Sequence, residues 1–144
     1  MRLIHFSMSF PVKHPKAGQP TYFRDSIISG RKIHTIRNHI HRFQQGEHFM
    51  PVAWVGMPYK SKTVQLLEPI EVLETYEFEK VGYNIKVNDT SINPETIAAN
   101  DGLNLQDFFD WFPQQCVGYI ICWKSVNYAQ YNIAPYTDNQ LQLF

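Results

Sequence analysis

The densest group of chemically capable side chains lies in Gly30-Arg31-Lys32-Ile33-His34-Thr35-Ile36-Arg37. Its ammonium, hydroxyl and guanidinium groups together suit a phosphate, a carboxylate or the polar edge of a base. Side chains alternate across a straight strand, so Lys32 and Thr35 converge only if the chain bends between them, whereas Thr35 and Arg37 share a face. The same residues are also explained by an exposed strand edge whose charges guard it against aggregation.

The pattern Gly-x-Lys-x-x-Thr-x-Arg, after a predicted short helix, resembles the signature of the ASCH family. That family's domain is a β-barrel similar to the PUA domain of RNA-modifying enzymes. Over about residues 1–126 the resemblance continues in Trp54-x-Gly56, Pro58-Tyr59-Lys60, residues 98–103, Asp107-Phe108, Trp111-Phe112 and residues 117–123. It implies a PUA-like mixed β-barrel that binds RNA, another nucleic acid or a nucleotide-like ligand around residues 30–37.

Some small bacterial members of this family are amidohydrolases that remove the acyl group from N4-acetylcytidine, with a proposed lysine, threonine and glutamate set. The resemblance places these roles on Lys32, Thr35 and Asp101, although aspartate is shorter than glutamate. A desolvated Lys32 would act as a base towards Thr35 or a water, and Asp101 would orient Lys32 or carry the proton. The resemblance thus implies an amidohydrolase as the alternative function. Asp101-Gly102 is also a favourable turn sequence in its own right.

Further side chains are expected to contact the ligand: Arg31, His34, Arg37, Tyr59, Lys60 and Lys62. Tyr59 offers a ring for base stacking, and basic groups flank it. Trp54 is expected to pack instead of bind. The histidines of residues 34–48 have Glu47 as the nearby acid, so we predict a solvated loop and neither a metal site nor a cofactor.

These side chains must be positioned by short elements. Apolar runs predict strands at residues 3–10, 32–37, 49–55, 62–67, 70–78, 83–87 and 117–123, the last of them uncharged and central. Helices are predicted at residues 21–29, ended by Gly30, and within residues 94–112. In the latter region Asn93 caps one helix, with Pro94 at its first position, and Asn104 caps a second. Strands with a few short helices predict an α+β fold.

Tyr22, Ile27 and Ile28 are expected on the buried side of the first of these helices.

The size and composition indicate one globular domain. The chain has 144 residues, of which 44% are hydrophobic and 15% aromatic, enough for a folded core. We assign residues 1–126 to the domain and residues 127–144 to a polar tail. Cys116 and Cys122 are about 20 Å apart if they share a strand, too far for a disulfide, which favours reduced thiols in the cytoplasm. We expect no signal peptide, because polar residues interrupt the N-terminal apolar stretch, and no apolar run is long enough to predict a membrane-spanning segment.

The net charge of zero conceals an asymmetry along the chain. The residues up to Lys62 include ten Lys or Arg and two acids, whereas the rest include three Lys or Arg and eleven acids. One interpretation is a basic face for an anionic partner, and the other is that the two halves interleave and neutralise each other.

The sequence Gln140-Leu141-Gln142-Leu143-Phe144 resembles the Gln-Leu-x-Leu-Phe peptide with which bacterial proteins bind the DNA polymerase sliding clamp. Leu141 would enter one apolar pocket, Leu143 and Phe144 another, and Gln140 would hydrogen-bond at the rim; a few such anchors can supply most of the affinity. A position in a polar tail, after Pro135, would leave the peptide free to reach a partner. The alternative is that these apolar side chains cover a patch of the domain.

Overall fold

The computed structural model describes residues 1–54 and 62–135. Within these residues the chain is mixed α+β, with nine strands in two sheets and three α-helices, which confirms the predicted fold class. In chain order the elements are β1 (Arg2–His5), α1 (Phe23–Ser29), β2 (His34–Arg37), β3 (His48–Trp54), β4 (Thr63–Gln65), β5 (Ile70–Glu71), β6 (Glu74–Val81), β7 (Asn84–Val87), β8 (Thr90–Ile92), α2 (Pro94–Asn100), α3 (Leu105–Trp111) and β9 (Gln115–Cys122).

The first sheet is built around β3. β1 pairs with β3 in parallel, while β4 and β5 pair with it antiparallel. The second sheet has the order β2-β9-β6-β7-β8, and each neighbouring pair is antiparallel. β9 lies inside this sheet, as its uncharged sequence predicted, and its residues Ile120 and Ile121 are fully buried.

Helix α1 buries only part of the predicted face: Ile27 is partly buried against the core, whereas the other two residues are not. Tyr22 adopts a left-handed conformation with φ of 60° just before the helix, and both Tyr22 and Ile28 are 59% exposed. The helix instead turns Phe23 and Ser26 inwards, one turn apart, as the helical repeat requires. Gly30 ends the helix as predicted, with φ of 82° and its N–H donating to the Ile27 carbonyl.

The two later helices begin at their predicted caps. The Asn93 side chain accepts a hydrogen bond from the Glu95 N–H, with Pro94 at the first helical position. The Asn104 side chain accepts one from the Asp107 N–H at 2.8 Å. Each cap satisfies an amide that would otherwise have no partner in the first turn.

Two strand predictions differ from the structure. The run at residues 3–10 leaves the sheet after His5, and the one at residues 70–78 divides at Leu73 into β5 and β6. β8 was not predicted at all. It follows a tight turn in which Asn88 and Asp89 have φ of 49° and 65°, a conformation typical of a two-residue hairpin loop.

The beginning of the predicted tail is packed against the domain. Residues Tyr128–Tyr131 form a 3₁₀ helix, and Tyr128 is 6% exposed. The N–H of Ile133 donates to the Ser91 carbonyl of β8. Residues 136–144, with the predicted partner peptide, lie outside the described residues.

Cys116 and Cys122 are both free thiols on β9. Among the helices of residues 1–54 and 62–135, none is long and apolar enough to cross a membrane.

Candidate functional site

Four of the predicted site residues line one cavity of about 110 Å³: Lys32, Thr35, Arg37 and Asp101. Gly30 turns the chain at the end of α1, and the Lys32 N–H donates to the Ser26 carbonyl, so that Lys32 lies between the helix and the strand. The strand begins only at His34. The remaining cavity residues are mostly aromatic, together with two small or polar side chains and one aliphatic one: Phe6, Phe23, Trp111, Phe112, His5, Ser7 and Ile36.

Lys32 and Asp101 form a buried ion pair. Lys32 Nζ lies 2.7 Å from the backbone oxygen of Asp101 and 3.1 Å from its Oδ1. The ammonium also lies 4.3 Å from the centre of the Phe23 ring, a cation–π contact. Aspartate therefore reaches the lysine at this position despite its shorter side chain.

Two backbone features bring Asp101 to Lys32. The N–H of Ile33 donates to the Asn100 carbonyl at 2.9 Å, which joins the start of β2 to the end of α2. Gly102 then has φ of 81°, and a Cβ placed there would lie 3.1 Å from the Lys32 Cβ. The turn-forming role of Asp101-Gly102 and a role in the cavity are thus compatible.

Burial shifts both members of the pair towards their neutral forms. Desolvation lowers the pKa of Lys32, and the Asp101 charge opposes that shift only in part. Desolvation likewise raises the pKa of Asp101, against the opposing effect of Lys32. Since the two pKa values approach each other, the two groups titrate as a coupled pair. Less free energy is then needed to form neutral Lys32 than for a lysine in water.

Thr35 and Arg37 lie on the same face of β2, as predicted. Arg37 Nε donates to Thr35 Oγ1 at 3.1 Å, and Arg37 Nη2 donates to the His5 carbonyl at 2.7 Å. Thr35 Oγ1 is therefore an acceptor towards the guanidinium, which leaves the hydroxyl proton available to another acceptor. Arg37 fixes the orientation of that hydroxyl at the cavity wall.

His34 was expected to contact the ligand, but the structure places it behind the cavity. It alternates with Thr35 along β2 and is fully buried. Its Nδ1 lies 3.0 Å from the Tyr128 hydroxyl and its Nε2 lies 3.5 Å from Asp101 Oδ1. Burial, with the nearby Lys32 charge, holds the His34 pKa well below its usual range, so the ring is neutral at pH 7.

Two other predicted ligand contacts, Arg31 and Lys62, do not line the cavity. Arg31 is exposed, and its guanidinium donates to the Ser26 and Ser29 hydroxyls of α1. Lys62 is exposed before β4 and does not line the cavity. The remaining predicted contacts lie outside the described residues: Tyr59, Lys60, Gln140, Leu141, Leu143 and Phe144.

Two contributors were missed or underrated in the sequence. Tyr128, assigned to the tail, supports His34, and nothing in its local sequence marks it. His5 lines the cavity and stacks on Trp54 with ring centres 4.3 Å apart, which gives Trp54 the packing role predicted for it.

The charges of the two halves interleave at several places. Lys16 Nζ lies 2.7 Å from Asp107 Oδ2, and Arg42 Nη2 lies 3.0 Å from Glu77 Oε1. Together with Lys32 and Asp101, these pairs join the basic first half to the acidic second half. At these pairs, basic side chains of the first half are therefore neutralised by acidic side chains of the second half.

Two of the histidines after β2, His39 and His48, lie on different elements. His39 Nε2 lies 3.1 Å from Glu77 Oε2, and His48 is exposed at the start of β3. In the part of the chain that the structure describes, no three His, Cys, Asp or Glu side chains are grouped so that they could hold a metal ion.

No family model matches this chain, and no curated protein or solved structure is similar to it at a significant level.

Proposed function

We propose that the chain is a PUA-like barrel domain of the ASCH type that binds a nucleotide-like ligand, free or within RNA or another nucleic acid, at this cavity. The observation that carries the proposal is the convergence of Lys32, Thr35, Arg37 and Asp101 on one hollow. The free thiols of Cys116 and Cys122 are in keeping with a cytoplasmic protein.

The donors and acceptors of the cavity suit the polar edge of a base. Arg37 and Lys32 supply charged donors, Thr35 supplies a hydroxyl, and Asp101 supplies acceptor oxygens. Because Lys32 is only 2% exposed, it is poorly placed to follow a phosphate backbone. A single group that enters the cavity is the better match.

Binding to a panel of nucleosides and short single-stranded RNAs tests this proposal by calorimetry. Thr35→Val keeps the shape of the side chain and removes its hydroxyl, and Lys32→Ala removes the ammonium. We expect each to weaken binding by about tenfold or more, while Lys62→Ala, at an exposed position away from the cavity, binds as the parent does. Equal binding by all variants, with folding confirmed by circular dichroism, would place the site elsewhere.

The alternative function is an amidohydrolase that removes the acyl group from a modified cytidine such as N4-acetylcytidine. The observation that favours it is the pairing of Lys32 with Asp101 beside a Thr35 hydroxyl held by Arg37. Transfer of one proton from Lys32 to Asp101 gives two neutral groups, and the shifted pKa values of both residues make this state accessible.

In that state Lys32 Nζ would accept a proton from Thr35 or from a water as its oxygen attacks the amide carbonyl carbon. The carbon–nitrogen bond then breaks, and the resulting Lys32 ammonium returns the proton to the leaving amine. If Thr35 attacks, a water releases the acyl group from its oxygen in a second step.

Incubation with N4-acetylcytidine followed by mass spectrometry distinguishes binding from hydrolysis. The parent chain and Lys62→Ala should release cytidine and acetate, and Lys32→Ala and Thr35→Val should not. Binding of the nucleoside without release of acetate would support the binding function and exclude hydrolysis of N4-acetylcytidine.

A further inference from the structure

A second hollow, of about 420 Å³, adjoins the cavity. The two share Phe6 and Ser7 in their walls. Among the described residues, residues 8–12, Gly18 and Trp54 also line the second hollow, which we call the groove. Because the walls are shared, a ligand that enters the cavity past Ser7 meets the groove directly.

The groove differs from the cavity in its chemistry. Its walls are largely apolar, with Met8, Phe10, Val12 and Trp54 among them. Met8 and Val12 are 36% and 91% exposed, so apolar side chains face water beside a charged cavity. Trp54 is held by its stacking on His5, which itself lines the cavity. The positions of the two walls are therefore fixed relative to each other.

The volumes of the two hollows indicate which part of a ligand each could hold. The cavity, at about 110 Å³, is well below the roughly 300–1,000 Å³ of pockets that enclose a complete small-molecule ligand. The groove, at about 420 Å³, lies within that range. A ligand of nucleoside size can thus place one small group in the cavity, and its larger part must lie outside it.

We propose that the groove binds the aromatic ring of the ligand whose small carbonyl or amide group occupies the cavity. An apolar wall with a fixed indole favours a flat ring over a sugar or a phosphate, which would lose hydrogen bonds to water there. This inference rests on the proposed function, since it takes the cavity as the polar end of the site. It narrows the ligand class to aromatic rings with a small hydrogen-bonding substituent.

Backbone amide NMR spectra of the intact chain can locate two probes. N-phenylacetamide carries the ring and the amide, and N-methylacetamide carries the same amide without the ring. We expect N-phenylacetamide to shift the amide signals of Lys32, Thr35 and Asp101 and also those of Met8 and Val12. N-methylacetamide should shift the first set alone and bind at least about tenfold more weakly.

A matched pair of substitutions tests the groove itself. Met8→Glu places a charge in the groove, and Val64→Glu places one on β4, where Val64 is 48% exposed and outside both hollows. We expect Met8→Glu to weaken N-phenylacetamide by about tenfold and leave N-methylacetamide unchanged. Val64→Glu should bind both probes as the parent does.

The outcomes separate this inference from the proposed function. N-phenylacetamide shifts that are confined to the cavity amides, with none at Met8 and Val12, or an N-phenylacetamide affinity unaffected by Met8→Glu, would overturn the groove and leave the cavity site. If neither probe shifts the cavity amides, the proposed function and this inference fail together. Groove signals that move on dilution, or on deletion of residues 136–144, would assign the groove to a second copy or to the chain's own tail and overturn the inference.

Discussion

At the residue scale, burying the Lys32–Asp101 pair carries a large desolvation free energy. Its side chains are only 2% and 7% exposed. Removing two charges from water costs several kcal/mol for each, and their attraction offsets this only in part. Apolar side chains of similar volume would stabilise the fold at least as well, so the pair is better explained by the chemistry of the cavity.

Single and double substitutions of the pair should therefore affect the free energy of unfolding differently. Lys32→Met or Asp101→Leu alone leaves one buried group without its partner and should lower the free energy of unfolding by about 3–5 kcal/mol. The double variant removes both charges and should be about as stable as the parent while losing ligand binding. Urea denaturation measures these differences. A double variant that is several kcal/mol less stable than the parent would show instead that the pair stabilises the fold.

His34 predicts how stability responds to acid. Its pKa is lowered in the folded state, so between that value and the unfolded value of about 6.5 the unfolded chain binds the extra proton. The free energy of unfolding should therefore fall by up to about 1.4 kcal/mol per pH unit as pH drops below about 6.5. Asp101, with its raised pKa, acts in the opposite direction at lower pH.

A comparison of variants isolates the His34 contribution. Urea unfolding from pH 7 to pH 5 should show a smaller loss of stability in His34→Phe than in the parent. His48→Phe, at an exposed position in β3, should keep the parent's slope. Identical slopes in all three proteins would mean that His34 does not remain neutral in the fold.

At the scale of elements, the turn between α2 and α3 sets the position of Lys32. Gly102→Ala combines a left-handed φ of 81° with a Cβ only 3.1 Å from the Lys32 Cβ. We expect a loss of stability of about 1–2 kcal/mol and a weaker ligand affinity because the lysine stem is displaced. Gly46→Ala is the control, since Gly46 has φ of 89° and open space around it. It should lose stability without losing affinity, and equal affinity losses would contradict the argument.

The elements that depend on local signals were predictable from sequence. Asn93-Pro94, Asn104 and Gly30 act within one turn of their helix ends, so they need no tertiary information. β9 was recognised because an uncharged run of strand-forming residues is typical of a strand inside a sheet. β8 was missed because its three residues carry too little pattern, although Asn88-Asp89 was a usable turn signal.

The candidate site was predictable only in part. Thr35 and Arg37 share a face by strand geometry. Lys32 lies between the end of α1 at Gly30 and the start of β2 at His34, so the strand alternation does not apply to it. Asp101 is 69 residues from Lys32, and no spacing rule connects them. Asp101 was assigned to the site only through the resemblance to the ASCH family. The placement of His34 behind the cavity, the support from Tyr128 and the adjoining groove all depend on long-range packing that a single sequence does not encode locally.

At the scale of the whole molecule, the interleaved charges bear on how affinity responds to salt. A protein that contacts 6–10 phosphates loses roughly 10³–10⁵ in affinity between 50 mM and 200 mM salt. Here Lys16, Lys32 and Arg42 are paired with acids of the second half, which reduces the charge available for such contacts.

We therefore expect nucleoside affinity to change by less than about twofold over that salt range, because an uncharged nucleoside carries no condensed counterions to release. Calorimetric titrations at several salt concentrations measure the slope, and a homopolymeric single-stranded RNA serves as the comparison ligand. A steep fall in affinity for the RNA would indicate a basic face that contacts several phosphates, in place of a single enclosed site.

The peptide Gln140-Leu141-Gln142-Leu143-Phe144 gives a prediction independent of the cavity. If it binds a bacterial sliding clamp as its resemblance implies, a few apolar anchors carry most of the affinity. Leu143→Ala/Phe144→Ala should then reduce recovery of a purified clamp in a pull-down by about tenfold or more. Gln142→Ala changes the variable position of the motif and should recover as much clamp as the parent. Equal recovery by the anchor variant, or none by the parent, would exclude the clamp and leave the cavity as the basis of function.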